Sequence, residues 1–370
     1  MNILFLTMAS GLRNVSASGI YTDLMRKFRD EGHEVYIIYP NERRTGRPTS
    51  IEVSNGVHCL GVRTLNVTKT SIIEKGIGQL LLEDLFMRAM NKYFSDIRFD
   101  LILYSTPPIT FNKVIKEARK RNPQATTYLM LKDIFPQNAV DLGMMTKMGI
   151  KGMLYRMFRK KEKELYRISD FVGCMSPANV RYVLEHNPEV KAEKVEIAPN
   201  SYDVASPQPS PEGKGIRKAL GLPVDIPIFI YGGNMGKPQG IPFLVECMKA
   251  VKDREDCHFV VVGDGTEYHK LEAFVKECCP KAVSVFQRLP KEDYDKLAEA
   301  CDVGLIFLDY RFTIPNYPSR LLPYLMTRKP IIACTDPNCD TGTLAEENGY
   351  QFFLDNYTTE HTFKAIMEHM

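Results

Sequence analysis

Short apolar segments alternate with amphipathic helical segments along almost the whole chain of 370 residues. The apolar segments of the first half are NILFLT, EVYIIYP, DLILYS, TTYLML, FVGCMS and KVEIAP. Helical periodicity between them is clearest at 20–30, 78–94, 109–120, 152–168 and 178–186. Strands that are apolar throughout are typical of a parallel sheet buried on both faces, which needs helical crossovers. The pattern therefore predicts an α/β fold.

The alternation is interrupted once, at SPQPSPEGKG, which is rich in proline, serine and glycine. It resumes with six further predicted strands, IPIFIYGG, CHFVVVGDG, AVSVFQRL, CDVGLIFLD, PIIAC and YQFFL. We predict an N-terminal domain over 1–200, a linker over 201–215 and a C-terminal domain over 216–370. Both domains are expected to be doubly wound and Rossmann-like, facing each other across a cleft. Ligands of such folds bind at the carboxyl ends of the strands.

Composition excludes several classes of function. A net charge of +3 gives no support for nucleic-acid binding. The nine cysteines form no CxxC pair, and the apolar stretch at Met1–Thr7 is too short for a signal peptide or membrane span, which indicates a cytoplasmic protein. GxSxG, HExxH and GxGxxG are absent, and Asp293 and Asp295 point to different faces of a predicted helix. No metal or other cofactor is expected.

A glycine-rich turn, YGGNMGKPQG, joins the strand IPIFIYGG to a predicted helix. A strand, a glycine turn and a helix in this order present backbone N–H groups to an anion. The candidate phosphate-binding residues here are Gly233, Asn234, Gly236 and Lys237. A lone turn of this kind is more often a plain connection between strand and helix.

Further loops with anion-binding chemistry follow later strands of the same half. Their candidate residues are Gly263, Asp264 and Gly265 in one loop, and Pro318, Ser319, Arg320 and Leu321 in another. Arg288 and Leu289, after a third strand, could form an edge for the base, or an ordinary loop. Since all of these loops lie at one end of the predicted sheet, together they predict a pocket for a nucleotide diphosphate.

The second half resembles the donor domain of a GT-B glycosyltransferase of family 4. The resemblance rests on YGGNMGKPQG, VVGDGTEYHKLE, LAEACDVGLIFL and YPSRLLPYLMTRKPIIA in that order. The first half is similar to the branch of that family that builds bacterial surface polysaccharides such as O-antigen and capsule. It carries YSTPPIT, LKDIFPQNAVDLGMM, KEKELYRISDFVGCMS and VEIAPNSYD. The resemblance therefore covers nearly the whole chain.

The resemblance implies a retaining, metal-independent hexosyltransferase. The donor would be a UDP-sugar, most simply of an N-acetylated hexose, and the acceptor a polyprenyl-diphosphate-linked sugar or an oligosaccharide. Gly19 occupies the place of the family's N-terminal glycine loop near the donor phosphates. Asp133, at the end of a predicted strand, is a candidate for assisting the acceptor hydroxyl, or else a turn aspartate before Pro136. Lys237 and Arg320 would stabilise the departing diphosphate.

Departures from the family leave two alternatives open. Pro315 and Pro323 replace two glutamates, and Asn234 and Gln239 replace an arginine and a lysine. A non-catalytic GT-B partner subunit is one alternative, and a sugar-nucleotide epimerase is the other. The sequence also ends at HTFKAIMEHM, so the final helix that crosses back to the first domain in this family is expected to be incomplete.

The segment 147–167 combines charge with apolar residues. It contains eight lysines or arginines and two glutamates, a local charge of 8 − 2 = +6, together with methionine, leucine, tyrosine and phenylalanine. Such a segment can lie on anionic lipid, although a solvated helix over a core has the same pattern. Peripheral contact with the inner face of the cell membrane is therefore a second expectation on localisation.

Overall fold

The computed structural model describes residues 1–9, 11–67, 70, 72–203, 213–356 and 358–370, and the chain forms two units. The first unit comprises Met1–Asp203 together with Asp355–Met370, and the second ends at Leu354. Each has its own parallel sheet and its own apolar core. The predicted α/β class with two doubly wound halves is confirmed. Most of the predicted linker, residues 204–212, lies outside the described residues.

The first unit contains eight strands and six helices in the described part of its N-terminal stretch. The strands are β1 (Asn2–Leu6), β2 (Glu34–Glu42), β3 (Ser50–Ser54), β4 (Val57–Thr64), β5 (Leu101–Ser105), β6 (Thr126–Leu131), β7 (Phe171–Cys174) and β8 (Val195–Ile197). The helices are α1 (Thr22–Asp30), α2 (Ile72–Tyr93), α3 (Asn112–Arg121), α4 (Gln137–Asp141), α5 (Gly149–Ile168) and α6 (Pro177–His186).

The first sheet has the order β3-β4-β2-β1-β5-β6-β7-β8 and is parallel except for β3. Strand β2 pairs with one side of β1, and β4 and β3 lie beyond it. The chain then returns so that β5 pairs with the other side of β1. The carboxyl ends of β1 and β5 therefore form the switch point at which open α/β sheets bind ligands. Residues Leu101–Ser105 of β5 are all buried, as expected of a strand covered on both faces.

Local sequence explains the burial of α1 and the start of α6. In α1, Leu24 and Phe28 recur at four-residue spacing and are completely buried against the sheet. At the start of α6, the Ser176 hydroxyl accepts a hydrogen bond from the Asn179 N–H, and Pro177 occupies the first helical position. The sheet and its helices thus follow from apolar periodicity and capping.

An antiparallel hairpin, β3–β4, extends the first sheet at its edge. Asn55 and Gly56 connect the two strands with φ values of 50° and 76°. A two-residue Asn-Gly turn with both φ values positive is the standard tight connection of a β-hairpin. The predicted strands of the first half omit this hairpin, although its Asn-Gly signal is present in the sequence.

The second unit contains a five-stranded parallel sheet with the order β11-β10-β9-β12-β13. Its strands are β9 (Ile228–Asn234), β10 (His258–Asp264), β11 (Val283–Gln287), β12 (Val303–Phe307) and β13 (Ile331–Cys334). Its helices are α7 (Gly213–Ala219), α8 (Ile241–Val251), α9 (Tyr268–Cys278), α10 (Lys291–Ala300), α11 (Leu321–Met326) and α12 (Thr341–Asn356), the last broken at Gly349. The switch point of this sheet lies between β9 and β12.

The last helix, α13 (Thr359–Met367), packs on the first unit rather than the second. Ile366 is completely buried in the core beneath α1, and the Phe363 ring lies 5.2 Å from the Phe28 ring. The Lys27 ammonium is 2.6 Å from the Glu360 carboxylate. The predicted C-terminal domain of 216–370 is therefore too long, because residues 355–370 complete the first core.

One predicted strand is a helix. YQFFL, at 350–354, falls within α12. A short apolar run does not distinguish a buried strand from a helix by periodicity, and here the run follows a glycine at which the helix bends. The sheet of the second unit ends at β13 instead.

Candidate active site

The glycine-rich loop of 231–240 lies at the switch point of the second sheet. It continues from β9 through a short 3₁₀ turn, Lys237–Gln239, into α8. Gly240, with φ 57°, makes the bend between that turn and the helix. The Asp309 N–H donates a hydrogen bond of 2.9 Å to the Pro238 carbonyl, which fixes the loop to the end of β12. The loop is thus held by both strands that border the switch point.

The loop after β10 packs directly against this first loop. A Cβ atom on Gly263 would lie 1.9 Å from the Gly233 carbonyl oxygen, and one on Gly265 would lie 2.4 Å from the Met235 carbonyl carbon. The Met235 N–H donates to the Asp264 carbonyl at 3.0 Å, and the Glu267 N–H donates to the Met235 carbonyl at 2.9 Å. The structure therefore gives Gly263 and Gly265 a packing role, since only glycine admits this approach of two backbones.

Arg320 is the cation that the fold places beside the first loop. The centre of its guanidinium lies 4.4 Å from the centroid of the Tyr231 ring, a cation–π geometry. Its Nη2 donates to Gln239 Oε1 at 2.5 Å and would be 3.5 Å from a Cβ atom on Gly233. Its Nη1 is buried and has no hydrogen-bond partner among the residues that the structure describes. A buried N–H of a cation without an acceptor indicates a place for an anionic oxygen.

Gln239 is a site residue that the sequence prediction missed. Its side-chain oxygen accepts from Arg320, and the Tyr231 hydroxyl lies 3.4 Å from the same oxygen. The hydrogen bond between Arg320 and Gln239 joins residues 81 positions apart. The sequence signal was present, since position 239 departs from the family's lysine, but the identity of the partner depends on the fold.

The other predicted residues around these loops take different positions. Lys237 and Ser319 are exposed, while Asn234 continues β9 in register with Asp264. Pro318 is buried and begins the turn that leads into α11. The Leu321 side chain is also buried and packs in the core. Its N–H donates to the Pro318 carbonyl at 3.1 Å. Its place in a donor site stays a prediction.

Arg288 and Leu289 follow β11, which is the edge strand of the sheet. Arg288 is exposed and Leu289 is half-buried. Within the described ranges, no hydrogen bond or ring contact joins either residue to the glycine-rich loop. Their role at the base of a nucleotide stays a prediction.

Gly19 lies in the first unit, immediately before α1. Its N–H donates a 2.9 Å hydrogen bond to Asp23 Oδ1, and Asp23 is completely buried. Asp23 Oδ1 also lies 2.6 Å from Arg26 Nη2, and the two side chains form an ion pair. Arg26 Nη1 donates a hydrogen bond to the Val15 carbonyl. The turn that contains Gly19 is thus held by a buried ion pair. The Gly19 N–H is thus already bonded to a carboxylate of its own turn. The contact of Gly19 with donor phosphates stays a prediction.

Asp133 lies just after β6, at the carboxyl edge of the first sheet. Asn138 Nδ2 donates to Asp133 Oδ1 at 2.7 Å, and the Asp133 N–H donates to Thr106 Oγ1 at 3.2 Å. Burial raises the pKa of the Asp133 carboxyl to about 6, while the hydrogen bond from Asn138 opposes that rise. A carboxyl that ionises near neutral pH is suited to accept a proton from a hydroxyl.

Lys132 is a second ionisable residue at this strand end, and the sequence prediction did not include it. Its Nζ donates to the Ala198 carbonyl at 3.0 Å. Burial lowers the pKa of the Lys132 ammonium to about 7, with the nearby Cys174 thiol acting in the opposite direction. The adjacent pair Lys-Asp at the end of an apolar strand is the signal that could have found it.

Two further features bear on the class of protein. Among the described residues, no group of three or more histidine, cysteine, aspartate or glutamate side chains is arranged to hold a metal ion. No helix in the described ranges has the length and apolar character needed to cross a bilayer.

Sequence relatives of the chain are named as glycosyltransferases. Residues 214–368 match the family described as Glycosyl transferases group 1. WbjE of Pseudomonas aeruginosa, named a probable glycosyltransferase, is 23% identical over 345 residues, which cover 91% of this chain and 81% of WbjE. WcaI of Escherichia coli strain K12, named for colanic acid biosynthesis, is 26% identical over 182 residues. That match covers 49% of this chain and 43% of WcaI.

The fold is also found in solved glycosyltransferase structures. HepE of Anabaena, solved in complex with UDP and glucose, superposes with a TM-score of 0.62 at 13% sequence identity. The superposition covers 100% of this chain and 98% of HepE. The expected fold and the expected resemblance to surface-polysaccharide glycosyltransferases are therefore both confirmed. Residues 214–368 match the Glycosyl transferases group 1 family model, within a chain that has the GT-B fold.

Proposed function

We propose that the protein is a retaining family 4 glycosyltransferase that transfers an N-acetylated hexose from a UDP-sugar to a lipid-linked or oligosaccharide acceptor. The transfer would belong to the synthesis of a surface polysaccharide such as capsule or O-antigen. The observation that carries the donor part is the buried Nη1 of Arg320 beside the glycine-rich loop, which has no partner within the described ranges of the chain. The UDP complex of HepE, a structure of the same fold, supports the choice of nucleotide.

Departure of the UDP group leaves negative charge on its terminal phosphate. Arg320 already has one nitrogen bonded to Gln239 and its face on Tyr231, so its guanidinium is held beside the loop at which that charge would develop. Lys237, exposed in the 3₁₀ turn, would add a second cation. We propose that these two cations and the loop N–H groups neutralise the diphosphate without a metal.

Asp133 would assist the acceptor. Its pKa of about 6 leaves it mostly ionised at neutral pH, and the Asn138 amide orients one carboxylate oxygen. In that state it can hold the acceptor hydroxyl by a hydrogen bond and take its proton as the new glycosidic bond forms. The retained configuration of the product is part of the proposal and follows from the family resemblance.

Helix α5 supports peripheral binding to an anionic membrane from the cytoplasmic side. Met148 and Met153 are 83% and 66% exposed, and Leu154 and Met157 are also exposed. Exposed methionines and leucines beside the cations of this segment fit a surface that contacts both acyl chains and anionic headgroups. Such binding would bring the protein to a lipid-linked acceptor.

Pro315 and Pro323 favour a second candidate function. They occupy the positions of the family's two glutamates, one of which usually contacts the donor ribose, and proline offers no carboxylate. A partner subunit that keeps the fold without catalysing transfer would tolerate this change. Turnover of a UDP-sugar by the purified chain with a lipid-linked acceptor would exclude it.

Calorimetric titration of the purified chain with UDP, GDP, ADP and NAD tests the donor site. We expect UDP to bind selectively, and Arg320→Ala to weaken binding by about tenfold to a hundredfold, because a hydrogen-bonded cation is lost. Lys237→Ala should weaken it less, since that side chain is exposed. Arg254→Ala is a matched control, because Arg254 is exposed in the loop that precedes β10. No UDP binding, or equal losses in all three variants, would contradict the proposal.

A further inference from the structure

A cavity of about 500 Å³ lies at the amino edge of the first sheet. One wall is the C-terminal half of α5, and the other is the segment 189–194. Helix α5 leads into β7 and the segment 189–194 leads into β8, so both walls lie where strands begin. Asp133 and the switch point lie at the opposite, carboxyl edge of this sheet. The cavity is therefore separate from the sites described above.

The lining of this cavity is strongly basic. Two carboxylates, Glu164 and Glu189, accompany five cations, so the formal charge of the lining is 5 − 2 = +3. The cations are Lys160, Lys163, Arg167, Lys191 and Lys194. The whole chain of 370 residues also carries a net charge of +3. One small cavity thus concentrates as much positive charge as the entire chain has in excess.

Both carboxylates of the lining are already paired with lysines. Glu189 lies 2.9 Å from the Lys163 ammonium, which lowers the pKa of the Glu189 carboxyl. Glu164 is paired with Lys116, which lies on α3 outside the cavity. The negative charges of the lining are therefore engaged and leave the other cations of the cavity largely uncompensated.

Three of these cations lack a strong counterion. Within the part of the chain that the structure describes, the Lys160 ammonium makes no ion pair. Arg167 Nη2 lies 4.0 Å from the Glu164 carboxylate, and Lys191 lies 3.3 Å from Glu193 in a pair whose side chains are 71% and 73% exposed. Exposed pairs of this kind contribute little. Lys160, Arg167 and Lys191 are thus available to an external anion.

Like charges also follow one another along α5. Lys160, Lys163 and Arg167 recur at three-residue and four-residue spacing, which places them on one face of the helix. Like charges at these spacings destabilise a helix. An anion bound in the cavity would offset the repulsion between them.

Two contacts hold the walls of the cavity together. The Lys163–Glu189 pair joins α5 to the segment 189–194. Lys194 Nζ donates to the carbonyl of Ser169, directly after α5, at 3.1 Å. The cavity is therefore formed by the fold itself, as small-molecule sites usually are.

A phosphate group matches this lining best. A phosphate monoester carries about two negative charges at neutral pH and presents three acceptor oxygens. Lysine and arginine side chains are the usual donors to such oxygens. A carboxylate brings a single charge and would leave most of the +3 of the lining uncompensated.

We propose that this cavity binds a phosphate monoester or a diphosphate through Lys160, Arg167 and Lys191. The phosphate is either that of a free molecule or that of a lipid headgroup. The site involves neither the donor loops of the second unit nor Asp133, and only the lipid source rests on the proposed membrane binding of α5.

Calorimetric titration with inorganic diphosphate tests the site, with Arg320→Ala as the background because it removes the proposed donor contact. We expect Lys160→Gln combined with Arg167→Gln to raise the dissociation constant for diphosphate at least tenfold. Lys249→Gln combined with Arg254→Gln is the matched control, since it removes the same two charges from exposed positions of the second unit. Lys160→Gln with Lys191→Gln is the alternative cavity variant if the first does not fold.

Sedimentation with vesicles distinguishes the two sources of phosphate. Vesicles of phosphatidylcholine with and without phosphatidic acid are compared for the parent, the cavity variant and the control. Binding that requires phosphatidic acid and falls at least tenfold in the cavity variant alone assigns the lipid headgroup. Diphosphate binding with that same dependence, but without vesicle binding, assigns a free ligand. The inference is overturned if the cavity variant matches the control with both probes.

UDP calorimetry separates this inference from the donor proposal. With Arg320 intact, the cavity variant should bind UDP as tightly as the parent, because its two changes lie in the first unit. Diphosphate binding that depends on the cavity, without UDP binding by the parent, would reject the donor site and retain the cavity assignment. UDP binding by the parent, with no effect of the cavity variant on either phosphate probe, would reject the cavity assignment alone.

Discussion

Arg320, which precedes α11, contacts three residues of the glycine-rich loop, a segment distant from it in sequence. Its guanidinium rests on Tyr231, donates to Gln239 and adjoins Gly233. The sequence predicted Arg320 and the glycine loop, because strand ends with glycines and a cation have a clear chemical signature. It marked Gln239 only as a departure from the family's lysine, because a neutral amide has no such chemical signature until its partner is known. The contacts of a site are therefore less predictable than its charges.

Gln239→Glu tests how Arg320 is used. A carboxylate in place of the amide would pair with the guanidinium and neutralise it, so we expect UDP affinity to fall about tenfold or more while the fold is retained. Calorimetry measures the affinity and circular dichroism the fold. Gln124→Glu, which adds the same charge at an exposed position of the first unit, is the control. Unchanged affinity in Gln239→Glu would show that the pair does not serve the donor.

Asp133→Asn tests the buried carboxyl. The pKa of Asp133 is raised in the folded state, so folding favours the protonated carboxyl. The protonated carboxyl therefore stabilises the fold fully below about pH 4, and this contribution to the free energy of unfolding is lost as the pH rises through 6. The variant avoids that loss. We expect it to be more stable than the parent by about 3 kcal/mol at pH 8 but nearly equal at pH 4, measured by urea unfolding.

The same variant should lose catalysis. Turnover is expected to fall at least a hundredfold with UDP binding intact, because the proton acceptor is removed. Asp96→Asn, at an exposed position after α2, should show neither the change in stability between the two pH values nor the loss of turnover. If Asp133→Asn behaves like this control, Asp133 is a turn residue.

At the scale of elements, apolar periodicity predicted the parallel strands and their order along the chain. The hairpin β3–β4 was missed because β3 is partly exposed and the apolar run of the mostly buried β4 is interrupted by His58 and Gly61, while its Asn55–Gly56 turn was the usable signal. The strand prediction for YQFFL was wrong for a different reason, since a short run of four apolar or aromatic residues and one glutamine suits a helix as well as a strand. Edge strands and short apolar runs are where periodicity alone is insufficient.

Helix α13 is expected to stabilise the first unit. Ile366→Ala should lower its free energy of unfolding by about 2–4 kcal/mol, because a completely buried side chain leaves a cavity beneath α1. Ile51→Ala, at a position of β3 that is 39% exposed, is the control and should cost much less. Denaturant unfolding that reports on the first unit provides the measurement. Equal effects would mean that α13 contributes little.

For the whole molecule, the sequence predicted two domains but not the return of the chain to the first. The linker was visible as a change in composition, whereas the second crossing at 354–355 has no proline-rich or glycine-rich segment to mark it. The fit of Phe363 and Ile366 against α1 and the Lys27–Glu360 ion pair assign the last helix to the first core. Long-range packing of this kind has no local signature in one sequence.

That return has a consequence for how the protein is made. A ribosome delivers the 203 N-terminal residues first, yet their core lacks α13 until residues 355–370 emerge. Domains usually fold in order of synthesis, N-terminal first. Here the second unit can finish folding while the first is still waiting for its last helix. Nascent chains halted before residue 355 should therefore carry an apolar surface beneath α1 that chaperones can recognise.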